Sequence, residues 1–92
     1  MTKKELADIL KLIGEENRLY IICELLKNKK LNVTGVSTKV GISVASASHH
    51  LKALESGGVL LSARSGKEIY YSLADQDMMY GLKDLICKNT KI

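Results

Sequence analysis

The chain has 92 residues, 46% of them apolar, with four tyrosines, no phenylalanine and no tryptophan. That length is one domain, residues 1–92, and the composition excludes a disordered tail and leaves Leu, Ile, Val and Ala to fill the core. The formal charge of +4 is unevenly placed: residues 27–67 hold seven basic side chains and one acidic, Glu55, whereas the remainder holds seven basic and nine acidic. A segregated basic face suits a polyanion.

Glu5 and Asp8 interrupt any apolar stretch near the start, so no secretory signal is expected. No run approaches the ~18 apolar residues of a membrane span. Two cysteines in such a chain point to a reducing, cytoplasmic setting without a disulfide framework.

Leu6, Ile9, Leu10 and Ile13 recur at i, i+3, i+4 and i+7 and predict a first amphipathic helix. Thr2 and Glu5 supply its capping box and Gly14 its end. A second helix is expected over Glu16–Lys27, with Leu19, Ile22, Cys23 and Leu26 inward. Asn32 caps a short helix over Val33–Val40, with Val36 and Val40 inward, and Gly41 makes the turn after it. Ser43 caps a helix of about 14 residues that ends before Gly57-Gly58, with Ala47, His50, Leu51 and Leu54 inward. Residues 59–64 and 68–73 have strand character around Ser65-Gly66, a hairpin signal. Asp75 opens a last helix with Met78, Leu82, Leu85 and Ile86 as its inner stripe, and residues 89–92 form a frayed tail.

The expected fold is therefore mainly α with a two-stranded β wing, in the order four helices, hairpin, helix: a winged helix-turn-helix. In that plan the second helix of the motif enters the major groove of duplex DNA and needs a small, hydrogen-bonding face at its start. Ser43, Val44, Ala45, Ser46, Ser48 and His49 form that face. Ser hydroxyls serve base edges or phosphates, and Lys52 lies one turn beyond Ser48, toward the DNA backbone. Arg64 and Lys67, near the hairpin tip, suit flanking phosphates or the adjacent minor groove.

Three stretches, Glu16-Asn17-Arg18-Leu19, the run from Ile42 through Ser48-His49-His50-Leu51-Lys52 to Leu54, and Gly58-Val59 followed by Ile69-Tyr70-Tyr71-Ser72-Leu73, resemble the ArsR/SmtB family of bacterial repressors. The resemblance runs from about Leu6 to Cys87. It implies a homodimer joined through the first and last helices, repression by operator binding, and release by an inducer. One departure is Val44, where members often carry Gln. Val cannot make the bidentate contact to adenine that Gln makes, but it can pack on a thymine methyl.

Many members hold thiophilic metals through a Cys-Val-Cys stretch, and the matching stretch here, Leu31-Asn32-Val33-Thr34-Gly35-Val36, has no thiolate. Others bind zinc through an Asp-x-His pair and two later histidines. Here the pair reads Asp75-Gln76-Asp77, and no later imidazole follows. No metal site and no cofactor are expected.

Cys23 and Cys87 remain. Each is read most simply as a small buried hydrophobe. The resemblance adds a second reading: in the dithiol subset of the family, one Cys of the second helix and one near the end of the last become linked by oxidant or reactive sulfur species, and the repressor leaves DNA. Arg18 and Lys88 are nearby charges able to favour a thiolate. A repressor answering to a metal or to no inducer, and a winged-helix protein-interaction module, are the competing readings. Nothing in the chain reads as an enzyme: it has no phosphate-binding glycine loop and no nucleophile set.

Overall fold

The computed structural model describes residues 1–88. The expected frayed tail, 89–92, lies outside the described residues. The elements are α1 (Lys3–Ile13), α2 (Glu16–Lys27), β1 (Leu31–Asn32), α3 (Val33–Val40), α4 (Val44–Ser56), β2 (Leu60–Ser65), β3 (Glu68–Leu73), α5 (Gln76–Lys83) and a π-helical turn, Asp84–Lys88. This is the winged helix-turn-helix order, mainly α with a small sheet.

Local chemistry sets most boundaries. The Thr2 hydroxyl accepts from the Glu5 amide at 3.1 Å while the Glu5 carboxylate accepts from the Thr2 amide at 3.4 Å, so α1 starts with a reciprocal cap. Asn32, Ser43 and Asp75 cap α3, α4 and α5 with side-chain oxygens. Gly41 closes α3 at φ 80°, a left-handed conformation that glycine adopts without a Cβ penalty. The Gly41 and Ile42 amides both donate to the Ser37 carbonyl, and the Ser37 hydroxyl donates to the Ile42 carbonyl at 2.6 Å. Those three bonds fix the turn between α3 and α4.

Sequence periodicity does not reveal β1. Its two residues pair antiparallel with β3, Leu31 with Tyr71 and Asn32 with Tyr70, so the sheet has three strands in the order β1-β3-β2. The wing proper is the β2–β3 hairpin, turning at Gly66-Lys67 between paired Ser65 and Glu68, with Gly66 at φ 64°.

The core forms where α2, α4 and the base of the wing meet. Ile21, Ile22, Leu51, Leu54, Val36 and Ala47 are fully covered, and Val59, Leu60, Tyr71 and Leu73 close it from the sheet. Two expected stripes come out differently. In α1 only Ile13 is buried, while Leu6 and Leu10 stay exposed. In the last helix Ile86 is buried and Met78 and Leu82 are half-buried, but Leu85 is 64% exposed and Met79, outside the expected stripe, is buried. The helix passes from α to π geometry at Asp84. No helix among the described residues is long and apolar enough to cross a membrane.

Candidate nucleic-acid interface

Helix α4 carries two faces. Ala47, Leu51 and Leu54 are buried, and His50 is half-buried beside them. Ser43, Val44, Ala45, His49 and Lys52 are exposed, with Ser46 and Ser48 half-buried at the edge of the same surface. The Ser43 hydroxyl accepts from the Ser46 amide at 3.0 Å, so one of its lone pairs serves the helix start. Val44, 54% exposed, is an apolar side chain with no core role.

The wing adds charge at a distance from that face. Arg64 and Lys67 are exposed, and with Lys52 they make no ion pair among the described residues. Other members of the basic segment are engaged: Lys27 pairs with Glu24 at 3.6 Å, and Lys30 stands over the Tyr70 ring at 4.8 Å. A tie not legible in the sequence joins wing to helix. The Ser62 hydroxyl of β2 donates to the Glu55 carboxylate near the end of α4. Burial, assisted by the Glu55 charge, pushes the Tyr71 phenol upward.

Arg18, read above as a charge available to a thiolate, is engaged elsewhere. Its Nε donates to His50 Nδ1 at 3.1 Å and its guanidinium donates to the Leu12 carbonyl at 3.2 Å. The Lys88 side chain lies outside the described residues.

Cys23 on α2 is buried, and Cys87 in the π-helical turn is half-buried; both are free thiols. They are electrostatic neighbours, and the Cys87 thiol is pushed up to about 11. Burial is the main cause, followed by the Cys23 side chain and the charge it carries when ionised. Lys27 and Lys83 oppose the shift, so these two lysines, not Arg18, face Cys87 electrostatically. No group of three or more His, Cys, Asp or Glu able to hold a metal occurs among the described residues.

A family model described as the bacterial regulatory protein, arsR family, matches residues 15–60, from the start of α2 to the first residue of the wing. The chain belongs to that family. It is 38% identical over 73 residues to the transcriptional repressor PagR of Bacillus anthracis, covering 79% of this chain and 73% of that protein. It is 39% identical over 61 residues to the cadmium resistance transcriptional regulatory protein CadC of Listeria innocua, covering 66% of this chain. There the match spans about half, 51%, of the relative's length. The solved structure of HlyU from Vibrio cholerae superposes with a TM-score of 0.81 at 29% identity, covering 95% of this chain and 99% of that one.

Proposed function

We propose that this chain is a transcriptional repressor that binds duplex operator DNA as a homodimer and releases it when Cys23 and Cys87 become linked. The observation that carries the reading is the combination of an exposed, small-residue face on α4 with a thiol pair joining α2 to the last helix. Small side chains from Ser43 to Ser48 let the α4 backbone approach base edges, while Lys52, Arg64 and Lys67 neutralise phosphates.

Dimerisation is supported by the apolar groove between α1 and α5. Leu10, Ile13, Leu19, Leu82, Leu85 and Ile86 line it, and Leu10 and Leu85 are 45% and 64% exposed on its rim. A contiguous apolar lining of this kind, open to solvent, is characteristic of an interaction surface. A second copy placed there by two-fold symmetry presents two α4 helices to successive major grooves.

Release follows from the thiols. Forming a disulfide removes two protons and two electrons from the pair, which an oxidant such as peroxide accepts as it is reduced to water. A persulfide that transfers its outer sulfur to one cysteine leaves as a thiol, and a second persulfide, reduced to thiol and sulfide, takes the two electrons as the trisulfide closes. That bridge spans a wider gap than the direct bond, which needs Cα atoms within about 7 Å. Either link joins α2 to the π-helical turn and so biases the groove on which the dimer rests.

Fluorescence anisotropy on the chain's own promoter DNA tests the proposal. The reduced protein is expected to bind, a persulfide donor or mild oxidant to release it, and Cys23→Ser to remain bound throughout. Wild-type protein that holds DNA under both treatments leaves the cysteines as core residues.

A further inference from the structure

Arg18 sits where three helices meet. It belongs to the first turn of α2, its guanidinium donates to the Leu12 carbonyl near the end of α1, and its Nε donates to His50 in the middle of α4. Glu15 completes the cluster. Its carboxylate caps α2 by accepting from the Asn17 and Arg18 amides, each at 3.2 Å, and one oxygen stands 3.6 Å from His50 Nδ1.

The chemistry of Arg18 fixes the state of the ring. A guanidinium has only protons to offer, so the Nδ1 it meets at 3.1 Å is an acceptor. His50 is then neutral, with its proton on Nε2. The Glu15 approach is an ion pair only for a protonated ring. The shorter and better directed Arg18 contact decides against that. The ring so fixed meets His49 edge to face, with centroids 5.5 Å apart. His49 is exposed on the face assigned above to DNA.

We infer that Arg18 is a positioning residue for DNA recognition: through the neutral His50 ring it sets the orientation of α4 and of the His49 imidazole without touching DNA itself. This rests on the reading of α4 as the DNA-contacting helix. The Arg18–His50 contact is part-buried, so an Arg18 proton left without its acceptor loses a hydrogen bond that water only partly replaces. Loss of either partner therefore loosens α4 against α2. A proton added at Nδ1 does the same, because it turns the acceptor into a donor facing a guanidinium. Glu15 is the carboxylate beside that nitrogen and becomes its partner, drawn away from capping α2.

The test compares operator affinity over a range of salt concentrations for wild type, Arg18→Gln, His50→Leu, the double variant and His50→Gln. Arg18→Gln and His50→Leu are each expected to weaken binding by about tenfold, the scale of one hydrogen bond to a charged group. The double variant is expected to be no weaker than either single one, and the salt slope to be unchanged in all, since no phosphate contact is lost. His50→Gln, whose amide oxygen accepts the Arg18 proton, is expected to bind as wild type does. Arg18→Lys replaces Arg18→Gln if the latter does not fold; the lysine keeps the charge but not the forked donor set and is expected to show the same loss.

The nitrogen-15 spectrum of wild-type His50 is expected to show an unprotonated Nδ1 and a protonated Nε2. Additive losses, an unchanged affinity, a salt slope reduced by about one, or a protonated Nδ1 would each overturn the inference. Wild type that binds no DNA at any salt instead removes the operator-binding reading, and this inference with it.

Discussion

Cys23 and Cys87 are 64 residues apart in the chain, yet the fold sets their thiols against each other between α2 and the π-helical turn. Neither helix alone produces this pairing. It arises because α2 lies at the centre of the core and the last helix packs across it, with Met79 and Ile86 buried on the facing side.

That contact has a measurable signature in the titration of Cys87. Its folded pKa of about 11 lies above the ordinary thiol value of 9.0, so the folded state favours the proton. The resulting stabilisation is fully present below pH 9 and is lost as the pH rises through about 11. Thiolate absorbance at rising pH is expected to show Cys87 ionising near the upper end of that window. Cys23→Ala removes two of the three causes that raise it and is expected to lower the midpoint. A wild-type midpoint at or below 9 would contradict the placing of the pair.

The reading face and the wing are expected to respond differently to substitution. Ser48→Ala with His49→Ala removes two groups proposed to meet base edges and is expected to abolish preference for the operator over random DNA. Lys67→Ala is expected to weaken binding to all sequences alike and to reduce the salt slope by about one. Anisotropy titrations at four salt concentrations separate the two outcomes. A sequence-specific loss from Lys67→Ala would place the wing tip on bases instead of phosphates.

Leu85 gives a direct handle on the proposed dimer. Being 64% exposed, it contributes little to the folded single chain, and Leu85→Glu is expected to change its stability by no more than about 0.5 kcal/mol. The same substitution places a charge in the apolar groove. Sedimentation is expected to show a monomer in place of the dimer, with operator affinity lost in parallel. A variant that still sediments as the wild-type dimer would move the interface elsewhere.

Gly57 reports on the contact between α1 and α4. Its φ of −82° suits any residue, but a Cβ there would stand 2.1 Å from Leu12 Cδ2. Gly57→Ala is expected to cost no more than about 1 kcal/mol, because Leu12 Cδ2 is the end of a half-buried side chain that can turn aside at the cost of a less favoured rotamer. At fixed protein concentration, denaturant titration reads that loss. In a Leu12→Ala background the penalty is expected to vanish, because the atom it strikes is gone. An equal loss in both backgrounds would point to a backbone cause.

Much of this architecture was legible in the chain itself. Caps such as Thr2, Asn32, Ser43 and Asp75, and the left-handed turn at Gly41, act within a few residues, so the sequence determines where the helices start and where the motif turns. The apolar spacing of α4 likewise separates its covered side from Ser43, Val44, Ala45 and His49. Period alone, however, says only that a face is apolar and not what covers it. The stripe of α1 is regular, yet Leu6 and Leu10 find no cover among the described residues.

The rest was decided by tertiary structure, because it depends on which elements meet. β1 is two residues long, too short for any periodic signal, and exists only because β3 lies alongside it. The packing of the last helix across α2 leaves Leu85 exposed and sets Cys87 against Cys23, which no spacing in the chain reports. Arg18 reads in sequence as a charge near a cysteine, but packing carries it to His50 and Leu12 and leaves Lys27 and Lys83 to face Cys87. Local hydrogen bonds fix the elements one by one; long-range contacts choose the partner of each side chain.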